Sequence, residues 1–315
     1  MPVPVVKMRI RLWLVLLCVL LAAGCGKQEE IKEETGTEET VSSAEQEASS
    51  SEESSSEVPE ETSRETETFR FVTAQGEWFD AELLPDVSRH DYDWELLSEK
   101  DGVLAYEDAR YETHFGIDVS HHQGEIDWEA AARAGVEFAF IRIAYRGYGE
   151  SGNLMADRTA AANLDAAEAA GIPTGVYIFS QAVNEEEAAE EAAFVLELLG
   201  GRELALPIVF DPELIRDDTA RTDDVSGEQF TKNTRVFADA VRAAGYDVMI
   251  YANMFWEAFL FDLEALADVE IWYADYEPVP QTPYAFSFWQ YSESGSVPGV
   301  NGPVDLDLWF APAGN

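Results

Sequence analysis

Two acids separated by one residue, Asp211 and Glu213, follow a continuous apolar run, Leu206-Pro207-Ile208-Val209-Phe210. Residues two apart on an extended strand point the same way, and the strand rise puts their Cβ atoms roughly 7 Å apart. Acids at the end of a buried strand are costly unless they have a use. The chemistry they suit is cleavage of a glycosidic bond, in which one carboxylic acid protonates the leaving oxygen and a second group stabilises or attacks the anomeric carbon. Similar residues recur in Gly116-Ile117-Asp118-Val119-Ser120-His121-His122, in Trp272-Tyr273-Ala274-Asp275-Tyr276, in Phe288-Trp289-Gln290-Tyr291 and at Asp305. Acids beside Trp and Tyr match what a sugar site uses, since flat rings stack on pyranose faces.

Such residues must be brought to one place by the elements that carry them. Apolar strand candidates fall at Phe115–Val119, Phe138–Ala144, Thr174–Phe179, Leu206–Phe210, Val248–Tyr251, Glu270–Tyr273, Phe286–Gln290 and Val304–Leu308. Ala-rich helical stretches separate the first five, at Trp128–Ala134, Arg158–Ala170, Glu185–Leu199 and Glu228–Ala244, each followed by a glycine suited to a helix C-cap. This alternation predicts an α/β fold with a parallel sheet. Eight strands with about five helices fit a TIM-like (β/α) barrel, irregular in its final third, where the connections are short or Pro-rich. The acids then sit at strand ends on one rim. An open doubly wound sheet is the alternative, but no Gly-rich phosphate loop follows the first strand.

Other chemistries fit less well. His121 and His122 with Asp118 and Asp211 are possible metal ligands, yet adjacent His side chains diverge and no His-x-x-x-His or Glu-x-x-His spacing accompanies them. No metal and no cofactor is expected. A nucleophilic serine lacks its Gly-x-Ser-x-Gly turn, and the only cysteines are Cys18 and Cys25.

Those cysteines belong to the N-terminus. Lys7, Arg9 and Arg11 precede the uncharged run Leu12–Ala23, too short to span a bilayer comfortably and suited to a secretory signal. Its end, Leu21-Ala22-Ala23-Gly24-Cys25, resembles a bacterial lipoprotein signal, which implies lipidation of Cys25 and a place on the extracytoplasmic face of the membrane. Residues 27–68 carry 15 acids and no aromatic residue, a composition expected to be disordered and to act as a tether. Beyond Thr68, 47 acids against 14 bases leave a net charge of −33, which disfavours nucleic acid as a partner. The expected organisation is a signal at 1–24, a tether at 25–68, an aromatic extension at 69–111 and the barrel at 112–315.

The string from Gly116 to Trp128 resembles the opening of the glycoside hydrolase family 25 lysozymes. Phe138-Ala139-Phe140-Ile141-Arg142, Gly175-Val176-Tyr177, Asp211-Pro212-Glu213, Trp289-Gln290-Tyr291-Ser292 and Gly302-Pro303-Val304-Asp305 are similar too, in the family's order. The resemblance implies an irregular barrel that cleaves the β-1,4 bond between N-acetylmuramic acid and N-acetylglucosamine in peptidoglycan. It implies Glu213 as general acid and Asp211 as nucleophile or as support for the substrate's own N-acetyl group. Asp118 would add to the site's charge, Asp305 would shape the far wall, and Tyr177, Trp289 and Tyr291 would line sugar subsites. From their place after the first strand, His121 or His122 is read as a substrate contact or as a partner that fixes Asp118, and Asp275, where members of the family vary, as a further substrate contact. Tyr145-Arg146-Gly147 departs from the family, standing where an acid is common. Two other readings stay open: a glycan-binding lipoprotein without activity, and a metal-dependent polysaccharide deacetylase on a similar barrel.

Overall fold

The computed structural model describes residues 66–314, so the expected signal, Cys25 and nearly all of the tether lie outside the described residues. Two small antiparallel hairpins come first. The strands β1 (Thr68–Val72) and β2 (Trp78–Glu82) form one, and β3 (Ser98–Lys100) and β4 (Val103–Ala105) form the other, beyond a single 3-10 turn at Trp94–Leu96. The barrel follows with β5 (Tyr111–Val119), α1 (Trp128–Arg133), β6 (Phe138–Arg146), β7 (Leu154–Ala156), α2 (Ala160–Ala169), β8 (Thr174–Ser180) and α3 (Glu185–Leu199). It continues with β9 (Ile208–Pro212), α4 (Gly227–Ala243), β10 (Val248–Asn253), α5 (Met254–Phe259), β11 (Glu270–Ala274), β12 (Phe288–Gly295) and β13 (Val304–Pro312).

Seven strands pair in parallel, in the order β5, β6, β8, β9, β10, β11, β12. The eighth, β13, closes the ring by pairing antiparallel with both β12 and β5. The eight strands and five helices match expectation, but the all-parallel sheet does not. Only an eight-residue connection separates β12 from β13, and a parallel crossover needs a dozen or more. The chain therefore turns straight back. The short strand β7, not anticipated from the sequence, pairs antiparallel with the end of β6.

Helix starts are fixed by side-chain caps. Asp127, Asn184, Ser226 and Asn253 each accept from a backbone N–H of the first turn. At the other end of α3, Gly200 takes φ +57 as the expected C-cap.

The strands alternate between two apolar cores. Phe138, Phe140, Tyr177, Val209, Met249, Trp272 and Phe288 fill the barrel lumen. Gly116 makes room there, because a Cβ at that position would sit 2.3 Å from the Phe138 ring. Outward-facing residues such as Ile117, Ile141, Ile178 and Phe210 pack in the second core, with apolar residues of the helices.

In the final third no helix covers β12 and β13 among the described residues, so Phe286, Trp289 and Phe310 would face water. The aromatic extension takes that place. Tyr92 lies 4.4 Å from Phe310 between ring centroids, Trp94 lies 6.1 Å from Trp289, and Tyr106 lies 5.6 Å from Phe310. Backbone groups are satisfied as well, with the Tyr92 hydroxyl donating to Phe286 O at 2.7 Å and Leu84 N donating to the Tyr284 hydroxyl at 3.1 Å.

Candidate active site

The lumen changes character toward the rim. On β9, Val209 belongs to the lumen core, and the period of two turns Asp211 and then Glu213 to the same side. Asp211 is buried, while Glu213 stands one residue beyond the strand and opens onto a cleft. On β5 the same alternation points Gly116 and then Asp118 inward. The antiparallel β13 places Asp305 opposite Asp118 and Asp307 opposite Gly116. Reversal of this last strand is what brings its beginning to the rim where the others end.

Neutral groups stitch the acids together. Gln290 Nε2 donates to Asp118 Oδ2 at 2.7 Å, and its Oε1 accepts from the Tyr251 and Tyr276 hydroxyls, both at 2.8 Å. Trp272 Nε1 donates to Asp307 Oδ1 at 2.9 Å. Asp211 Oδ1 and Asp307 Oδ2 are buried and find no hydrogen-bond partner among the described residues.

Five carboxyl groups in this space resist ionising together. Burial, then Asp305 and Asp307, push Asp118 well above the usual carboxylate range. Burial and Glu213 do the same to Asp211, with Arg142 pulling back. Asp307 is also raised by burial, against the Trp272 hydrogen bond. Asp305 is pushed up to about 6 by burial and Glu293. Glu213 is pushed up to about 7, first by displacement of bulk water, then by Asp305, again with Arg142 opposing. The Glu213 side chain is exposed at the cleft, so its desolvation reflects crowding by the surrounding protein and not loss of contact with water. Asp211 and Glu213 therefore resist ionising together near neutrality, leaving one proton to share between them.

Arg142, from β6, is held by a different carboxylate. Its Nε donates to Asp157 Oδ2 at 3.0 Å, and its terminal nitrogen lies 2.6 Å from His121 Nδ1. Asp157 also accepts from His121 N at 3.0 Å, Thr159 N at 3.0 Å and the Thr159 hydroxyl at 2.8 Å. Burial opposes its ionisation, but the hydrogen bonds from Thr159 and His121 outweigh burial and bring it down to about 2. The neighbouring His122 is exposed, with its ring 4.2 Å from that of His121. Burial, His121 and Arg142 all lower its proton affinity.

The structure brings Asp118, Asp211, Glu213, Asp305 and Tyr177 to one rim. Trp289 is a correction. It was expected in a sugar subsite, but it is 0% exposed, its ring lies on the outer side of β12, and its indole N–H donates to Asp275 O at 2.7 Å. It belongs to the core and has no face to offer a ligand. Tyr291 shares that outer side, 5.8 Å from Trp289 between centroids, with its edge at the cleft and its hydroxyl buried. Asp275 borders the cleft too, but its oxygens accept from the Tyr273 hydroxyl and from Glu277 N and Gln281 N, so it shapes the loop after β11. Arg146, the departure noted in the sequence, turns outward to pair with Glu191 of α3 at 2.6 Å.

Asp307, Gln290, Tyr251, Tyr276 and Arg142 were not singled out in the sequence. Asp307 was legible as the second inward residue of Val304-Asp305-Leu306-Asp307. Gln290 carried no signal of its own, because its value lies in joining Asp118 to two tyrosines. The cleft encloses about 710 Å³, within the usual range for ligand sites, with Glu213, Tyr251 and Tyr276 in its lining. This arrangement can protonate a leaving group near neutrality while a second carboxyl group stands beside it.

Residues 117–300 match the family described as glycosyl hydrolases family 25. The chain is 30% identical over 194 residues to the autolytic lysozyme of Clostridium acetobutylicum, a match covering 61% of this chain and 54% of that protein. It is 32% identical over 208 residues to lysozyme M1 of Streptomyces globisporus, covering 63% of this chain and 68% of that protein. The chain therefore spans about half the length of the first of these relatives. Among solved structures, the bacterial lysozyme from Streptomyces coelicolor aligns with a TM-score of 0.53 at 29% identity, over 64% of this chain and 93% of that one.

Proposed function

The chain belongs to glycosyl hydrolase family 25, and on that premise we propose that it is a peptidoglycan hydrolase cutting the β-1,4 bond between N-acetylmuramic acid and N-acetylglucosamine. Glu213 is the general acid. Its proton passes to the glycosidic oxygen as the C–O bond breaks. The anomeric carbon is then captured by Asp211 or by the substrate's own N-acetyl oxygen with Asp211 in support, and water completes the hydrolysis. Asp305, raised only to about 6, adds negative potential around the developing positive charge, and Gln290 fixes Asp118 beside it. The observation that carries this reading is Glu213 at the cleft mouth, raised to about 7 beside the buried Asp211.

The full chain incubated with purified peptidoglycan should release new reducing muramic acid ends, equally with and without chelator. Glu213→Gln should lower that rate by about 10²–10⁴-fold, the range for a lost general acid, without lowering the melting temperature. Normal cleavage by the variant would overturn the assignment, and acetate release that chelator abolishes would point to a deacetylase.

The same reading places the protein on the extracytoplasmic face of the membrane, held by lipid on Cys25 and reaching wall glycan through its acidic tether. The string Leu21-Ala22-Ala23-Gly24-Cys25 supports it. Cys25→Ser should move the chain from the membrane fraction to the soluble fraction, and an unchanged distribution would exclude the anchor.

A further inference from the structure

Part of the cleft wall comes from outside the family segment. Val72, Thr73, Ala74 and Gln75, at the turn between β1 and β2, line the same cleft as Glu213. The turn is fixed from two sides. The Gln281 side-chain amide accepts from Val72 N at 2.8 Å and donates to Val72 O at 2.9 Å, pinning the free edge of β1. On the inner face of the hairpin, Phe79 packs 5.3 Å from Phe255 and Phe71 packs 6.1 Å from Phe259, both on α5. Within the turn, Thr73 N donates to Glu77 O at 2.9 Å and Gly76 N donates to Thr73 O at 2.8 Å. The wall is a built one.

Charge says what it could hold. Arg216 is the one cation among the described residues lining this cleft, which also carries Glu213, Asp217, Asp275, Glu277 and Glu293. In a folded part with 47 acids against 14 bases, an exposed guanidinium is the place in this cleft where a ligand carboxylate can settle. The Arg216 guanidinium lies 5.9 Å from the centre of the Phe255 ring and meets Glu77 of the hairpin at 3.6 Å, with both side chains substantially exposed. An exposed pair of that length is weak, and a second carboxylate can replace or share it.

We infer that the β1–β2 turn and Arg216 form a subsite, distinct from the cleaving acids, that receives the carboxylate-bearing peptide stem of the substrate. This rests on the peptidoglycan reading above and assigns the hairpin a part in substrate choice as well as in packing.

The test compares kcat/KM of the full chain on glycan strands with intact peptide stems and on the same strands stripped of peptide by an amidase. The wild type prefers the stemmed strands. Arg216→Ala should reduce that preference about threefold, the scale of an exposed ion pair, and Arg216→Lys should restore most of it. Thr73→Ala with Gln75→Ala should reduce it by a smaller factor. A preference left unchanged by Arg216→Ala, whether or not overall activity falls, overturns the inference. Failure of the wild type to cut either strand would instead remove the peptidoglycan reading on which it rests.

Discussion

Two sets of buried carboxylates lie on either side of Arg142, and they behave in opposite ways. Asp157 accepts from Thr159, from the His121 backbone and from Arg142, and falls to about 2. Asp118, Asp211 and Asp307 are equally buried but receive one hydrogen bond or none from the described residues, and all are raised. All are shielded from solvent, so what separates them is donors around Asp157 against deeper desolvation and neighbouring carboxylates around the others. A buried acid supplied with donors is a fixed anion that holds a corner together. A buried acid without them, crowded by other acids, resists ionising. The rim is therefore where chemistry is stored, and Arg142 is held by the first set while facing the second.

The largest effect should come from the rim. Asp211→Asn, which removes the carboxylate and keeps its shape, should lower the cleavage rate at least about 100-fold, and a rate within a few-fold of wild type would detach Asp211 from the reaction. Next comes the fixed anion. Asp157→Ala leaves Arg142 buried without its partner and should cost about 3 kcal/mol in denaturant unfolding. Because Asp157 is depressed when folded, its contribution is present above the ordinary carboxylate value and lost as pH falls toward about 2. The gap between wild type and variant should accordingly narrow below about pH 4.

Asp307→Asn should show the opposite sign. A raised carboxyl group costs stability as pH rises through the range where the unfolded chain ionises and the folded one does not. The variant should melt higher than wild type at pH 8, with the advantage shrinking toward pH 4, and a lower melting temperature at pH 8 would show that Asp307 is instead a satisfied anion. The smallest effect is expected at His122, exposed and bonded to none of the acids. His122→Ala should change KM by no more than about threefold, the scale of an exposed contact.

The contrast between the two sets was only half visible in the sequence. Strand positions, and with them the placement of Asp118 and Asp211, followed from hydrophobic runs and their period, whereas Asp305 reaches the rim only because β13 runs back, which the sequence did not show. The paired side of Arg142 did not, because Asp157 lies at the start of a helix in sequence and becomes a ligand of Arg142 only through the pairing of β6 with its neighbours. Trp289 misled for a related reason. Aromatic residues suit sugars and cores equally, and parity along β12, which turns Phe288 and Gln290 inward and Trp289 outward, settles the matter once the lumen side is known. The extension at 69–111 was legible as aromatic, but its use was not, since the surface it covers exists only after β13 has turned back.

The central claim is that the rim keeps Glu213 protonated near neutrality while Asp157 remains charged. The most direct measurement is the titration of carboxyl carbon shifts in the full chain labelled at glutamate, with the Glu213 signal identified by its loss in Glu213→Gln. A midpoint near 7 is expected. A midpoint at the ordinary glutamate value near 4.5 would mean that Glu213 is a solvated anion at neutral pH, and the account of the rim as a proton store would fail.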